Sequence, residues 1–144
     1  MKILIVSDSH RDNQKLDLVY KKHPNMDYYL HAGDSESSPY DIHPFLSVKG
    51  NCDRDTSLNH QLKLNTPYGY LLMKHIGEVS LDTLKRNNIK IFIFGHTHRR
   101  AFSKIDDIYF INPGSISLPR DSFGLSYAIL EIDKDGVKVD FLKV

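Results

Sequence analysis

A chain of 144 residues suits one domain, taken as 1–144, with a core of its own; two domains would be a squeeze. Its 40% hydrophobic and 26% charged residues are ordinary for a soluble protein. Its 19 basic against 18 acidic residues (19 − 18 = +1) exclude the global basic field that would point to nucleic acid.

The chain enters a strand almost at once, because the aliphatic run Ile3-Leu4-Ile5-Val6 reads as a buried strand over 2–6. The long apolar stretch and small-residue cleavage site of a signal peptide are not seen there. Asp12 can cap a following helix whose Leu16, Val19 and Tyr20 share one face, and Pro24-Asn25 ends it. Residues 27–31 form a second strand, which makes a βαβ unit with a right-handed crossover. Residues 35–44 are a polar loop with two prolines, and 45–48 a third strand. The alternation of 60–64, the turn Pro67-Tyr68-Gly69 and the apolar run 70–73 predict a hairpin. A short helix over 79–88 turns Leu81 and Leu84 inward, and a strand over 89–94 follows. The rest is β: 101–104, 109–111, 125–132 and 137–142, with Asp133-Lys134-Asp135-Gly136 as the last turn. The longest apolar run, 91–94, is broken by Gly95-His96, far short of a membrane span. With a single cysteine, Cys52, and no intramolecular disulfide, the chain is expected to be cytoplasmic, without membrane contact. A βαβ first half and a β-rich second half predict two sheets packed face to face with helices outside.

Four polar motifs each close an apolar run. They are Asp8-Ser9-His10, Gly33-Asp34, Gly50-Asn51-Cys52-Asp53 and Gly95-His96-Thr97-His98. The carboxyl edge of an α/β sheet is where such folds place their sites. Asp8 and His10, two apart on an extended segment, share a side and offer a carboxylate and an imidazole to a divalent metal. Asp34 has two oxygens, so it can bridge two cations, and Gly33 lets backbone come close without a Cβ. Asn51 offers a neutral oxygen. Cys52 has no CxxC partner, so it is expected to pack as a small hydrophobe rather than hold structural zinc. His96 and His98 are the strongest pair, since two imidazoles this close are costly to bury without a partner. His75 also follows an apolar strand. His31 ends a strand and is a weaker candidate to face the site. His23, His43 and His60 are assigned no role.

In this order, with His75 between the third and fourth motifs, the set resembles the calcineurin-like metallophosphoesterase superfamily. Within it, the likeness is to the small YfcE-like phosphodiesterase branch of bacteria and archaea. Asn112-Pro113-Gly114-Ser115 and Leu118-Pro119-Arg120 are also similar to that branch. The resemblance implies an α/β fold, a four-layer αββα sandwich of two mixed β-sheets flanked by helices. It implies two divalent ions, often manganese, nickel, iron or zinc, with manganese favoured. Asp8, His10, Asp34 and His98 would hold one ion, and Asp34, Asn51, His75 and His96 the other. One segment departs from the branch: Lys74-His75-Ile76-Gly77-Glu78 replaces the usual fifth motif, and the span to Gly95 is short. This makes His75 and the second ion the expected weak point.

The implied reaction is hydrolysis of a phosphodiester, or a phosphomonoester, by a hydroxide bridging the two metals. Asn51, Asp53 and His75 are the candidate catalytic residues. Asp53 would orient or protonate a leaving group only if its pKa were raised, and a structural role is the competing reading. Arg120 and Arg99 are candidate phosphate contacts. A small phosphoester is the expected substrate, and a homo-oligomer remains open. With no Lys/Arg stripe carrying interleaved aromatics, nucleic acid is not expected. The rival reading is an interaction scaffold on the same fold, like the retromer subunit that shares it.

Overall fold

The computed structural model describes residues 1–144. The elements run β1 (Lys2–Val6), α1 (Asn13–Lys22), β2 (Tyr28–His31), β3 (Leu46–Ser47), β4 (Gln61–Thr66), β5 (Gly69–Lys74) and α2 (Leu81–Arg86). Then come β6 (Ile89–Ile93), β7 (Arg100–Ile105), β8 (Ile108–Pro113), β9 (Ser126–Asp133) and β10 (Gly136–Lys143). They form two five-stranded mixed sheets, ordered β10-β9-β1-β2-β3 and β4-β5-β6-β8-β7.

The aliphatic runs are continuous because their strands are buried on both faces. Ile3, Ile5, Leu30 and Val48 of the first sheet and its edge meet Leu71, Met73, Ile91, Ile93 and Ile111 of the second. The alternate residues Leu4, Val6, Tyr29 and Ile129 face outward against Leu16 and Val19 of α1. On the far side, Ile89, Phe92 and Ile108 cover Leu84 of α2, with Leu81 half-buried beside it. This is the four-layer αββα order, with one short helix on each outer face. Truncating a buried residue such as Ile91 to Ala would cost about 2–5 kcal/mol by transfer and cavity terms.

β3 and α2 are each at least two residues shorter than the sequence predicts. β3 keeps only two residues, although Val48 still donates its N–H to the His31 carbonyl (3.2 Å). Phe45 turns instead into the cluster under α1. α2 starts after Ser80, whose hydroxyl accepts from the Thr83 N–H (3.1 Å), which leaves Val79 outside the helix.

For the site, direction matters most. β1, β2 and β3 run parallel, as do β5, β6 and β8. Their carboxyl ends meet at one edge. The Gly95 N–H bonds to the His75 carbonyl (2.9 Å), and the Asp8 N–H to the Gly33 carbonyl (3.0 Å).

Candidate metal centre

All seven candidate ligands arrive at this edge. Five of them, Asp8, His10, Asp34, His96 and His98, have positive φ between 45° and 68°. That left-handed region is uncommon outside glycine and persists when surrounding structure imposes it. Here the imposing contacts are backbone bonds that carry the β1–β2 pairing beyond the strands: the His10 N–H to the Asp34 carbonyl (3.0 Å) and the Arg11 N–H to the Ser35 carbonyl (2.8 Å). Two glycines allow the closeness. A Cβ on Gly33 (φ +101°) would stand 2.6 Å from Nδ1 of His75, and one on Gly50 would stand 2.0 Å from Oδ1 of Asp34.

Asp8 is fully buried, and its Oδ1 has no hydrogen-bond partner. Around it lie Nε2 of His98 (3.2 Å), of His75 (3.8 Å) and of His10 (4.0 Å). Its other oxygen accepts from the Ser7 hydroxyl (2.5 Å) and the His96 N–H (3.0 Å). Nε2 of His10 and of His98 face each other at 3.4 Å. Beside them, Nε2 of His75 lies 3.2 Å from Asp34 Oδ2 and 2.9 Å from Asn51 Oδ1. Asn51 Oδ1 is also 3.0 Å from Nδ1 of His96. Asp8, His10 and His98 thus form one group, and Asp8, Asp34 and His75 another. Each offers ligand atoms within 4.8 Å of one another.

The hydrogen bonds behind the rings orient them. Nδ1 of His75 faces the Ala32 carbonyl (2.7 Å), and Nδ1 of His98 the Leu118 carbonyl (2.6 Å). A carbonyl only accepts, so both rings carry a proton on Nδ1 and their Nε2 atoms point inward. Nδ1 of His10 pairs in the same way with Glu36 Oε2 (2.9 Å). Inward-facing imidazole nitrogens, an orphaned carboxylate oxygen and an amide oxygen make a donor set suited to a cation. Charge follows the same logic. Burial works to raise the pKa of Asp34, but the His75 hydrogen bond and the Cys52 N–H (2.8 Å) hold it down at about 2. Burial works to lower the pKa of His75, but Asp34, Asp8 and the Ala32 carbonyl raise it.

Residues 1–135 match the calcineurin-like phosphoesterase superfamily domain. The chain is 34% identical to the probable metallophosphoesterase YsnB of Bacillus subtilis, over 98% of this chain and 90% of that protein. The chain belongs to the calcineurin-like phosphoesterase superfamily. Phosphodiesterase YfcE of Escherichia coli is 30% identical over 63% of the chain and 54% of its own length. A crystal structure of a predicted phosphoesterase from Streptococcus pneumoniae superposes with a TM-score of 0.88. That protein has 30% identity, and the match covers 99% of this chain and 88% of that one.

Several features of this phosphoesterase-family site were not legible beforehand. His75, expected to be weak, is buried and held at both ring nitrogens. The parallel β5–β6 pair sets its position despite the short segment after it. Asp53 is buried and accepts three backbone N–H groups: Asp34 (2.8 Å), Gly50 (2.7 Å) and Glu36 (2.8 Å). Cys52 corrects an expectation, since it is exposed at the rim rather than packed, and its thiol lies within 4.8 Å of ligand atoms of His10 and Asp34. Burial raises the pKa of that thiol, with Asp34 adding to the effect. Arg99 and Arg120 are exposed, and Arg120 reaches the centre only through its N–H to the His98 carbonyl (2.9 Å).

His31 does not face the ligands. It lies beneath them, fully buried. Its Nδ1 accepts from the Gly33 N–H (3.1 Å), so its Nε2–H donates to the Ser9 hydroxyl (2.8 Å). Burial lowers its pKa to about 4, and the ring is neutral. Glu36, Asn112 and Ser115 also act from behind. Asn112 donates to the Gly95 carbonyl (2.9 Å), and the Ser115 hydroxyl donates to the Asp8 carbonyl (2.9 Å). For Glu36, in a polar loop, and for His31, at a strand end, the sequence carries no distinguishing signal. No helix is long and apolar enough to cross a membrane.

Proposed function

We propose that this chain is a metal-dependent phosphoesterase acting on small phosphodiesters. Asp8, His10, Asp34 and His98 would hold one divalent ion, and Asp34, Asn51, His75 and His96 a second. The observation that carries this reading is Asp8 Oδ1, buried without a partner among inward-facing imidazole nitrogens. An interaction scaffold would gain nothing from that costly arrangement. Bound divalent ions would supply Lewis acidity and a water of lowered pKa. Manganese is the first choice over nickel, iron or zinc, because Asp8, Asp34 and Asn51 add oxygen donors to the imidazoles.

The chain's own groups divide the remaining work. Asn51 and His96 are exposed at the cleft, where a phosphoryl group approaches. Asp53 has both oxygens occupied by backbone N–H groups, which leaves it positioning Asp34 and the Gly50–Asn51 turn rather than protonating a leaving group. Aryl phosphodiesters, whose leaving groups need no acid, are therefore the preferred assay substrates. The test is hydrolysis of bis(4-nitrophenyl) phosphate with added manganese. Turnover that is lost on chelation and restored by manganese is expected. A folded protein that binds manganese yet shows no turnover sinks the proposal.

A further inference from the structure

Two cavities flank the centre, and they differ in charge. One, of about 320 Å³, lies against Glu36, Cys52 and Asp53, where Arg11 and Arg54 face three carboxylates, Asp55 being the third. The other, of about 550 Å³, lies against Asn51 and His75, where Lys49 and Lys74 face a single carboxylate, Glu78, with His60 beside them. Both lysines are half-buried, and neither forms an ion pair. Both are placed by the fold. Lys49 precedes the Gly50–Asn51 turn and is anchored by its N–H to the Asn59 carbonyl (2.8 Å), while Lys74 ends β5 immediately before His75. Lys49, just past β3, and Lys74, at the end of β5, thus both line the cavity that also meets the candidate ligands Asn51 and His75. The cavity adjoins Asn51, and its volume falls in the range of small-ligand sites. A lysine ammonium is a compact, strongly hydrated point charge that suits phosphate.

We infer that this lysine-lined cavity is a subsite for a second phosphate of the substrate, so that the favoured substrates are phosphoesters bearing another, terminal phosphate. The inference rests on the phosphoesterase reading for its orientation, but its test is binding. Isothermal titration of the manganese-loaded protein compares thymidine 5′-phosphate with thymidine 3′,5′-bisphosphate. The bisphosphate binds about tenfold tighter, the contribution of one charge-assisted hydrogen bond near the surface. The double variant Lys49→Gln/Lys74→Gln, checked for folding by thermal unfolding, erases the difference. Equal affinities in the wild type, or a preference that survives in the variant, overturn the subsite. Turnover of bis(4-nitrophenyl) phosphate, which has no second phosphate, is scored separately. Its absence would count against the phosphoesterase reading, while the titration still decides the subsite.

Discussion

The two sides of the metal centre differ in how they are held. Asp8, Asp34, His75 and His98 are buried, and each has a hydrogen bond behind it to Ser7, Cys52, Ala32 or Leu118. Asn51, Cys52 and His96 are exposed, and Asn51 meets Cys52 and His96 in the rim and the buried His75 beneath it. A buried ligand without its hydrogen bonds carries a full desolvation cost, so that side must be completely satisfied or occupied. An exposed ligand borrows water. The buried side is accordingly held by hydrogen bonds, and the exposed side is open to solvent.

Substitutions can break this contrast. The largest effect is expected at Asp34, which the proposed partition assigns to both ions. Asp34→Ala should lower kcat/KM for an aryl phosphodiester by on the order of 10³-fold, roughly 4 kcal/mol of transition-state stabilisation. A loss below tenfold would show that Asp34 is not shared.

Next comes the buried support. His31 titrates at about 4 in the folded chain and near 6.5 when unfolded, so the unfolded chain binds the extra proton in between. Stability is complete above pH 6.5, declines as pH falls, and is reduced by about 3 kcal/mol below pH 4. Urea unfolding at several pH values should show that slope, and His31→Gln should flatten it. An unchanged slope in the variant would place the acid sensitivity elsewhere.

Glu36→Gln removes the carboxylate behind His10. It should weaken manganese binding by about 10–100-fold in titration calorimetry, with little change in thermal stability. The smallest effect is expected at the exposed rim, where Cys52→Ser should shift manganese affinity by no more than about twofold, within the ordinary range for surface changes. If Cys52→Ser proves as damaging as Glu36→Gln, the thiol is a ligand and the contrast between the two sides fails.

The legible part of the site consists of residues whose chemistry is written locally. Asp8, His10, Asp34, His96 and His98 each follow an aliphatic run, so type and position in the chain were enough to nominate them. His75 was legible only as a lone histidine after a strand. Its place comes from β5 lying parallel beside β6 and from Gly33 passing under its ring. Asp53 closes the Gly50-Asn51-Cys52-Asp53 motif, yet its contacts are with backbone N–H groups from two loops, which no spacing rule reveals. The same holds for the fold. The strands and the turn at 133–136 were readable from periodicity, whereas β3 shrank because Phe45 packs under α1.

By itself the sequence determined most of the elements, the candidate ligand types and the family, because strand burial and turn chemistry act over a few residues. Tertiary structure alone decided three things. It turned the rings inward through carbonyls of Ala32 and Leu118, it left Asp8 Oδ1 without a partner, and it gathered Lys49 and Lys74 around one cavity. These depend on groups distant in sequence meeting at one sheet edge, where hydrogen-bond satisfaction and charge are settled by neighbours that local pattern does not name.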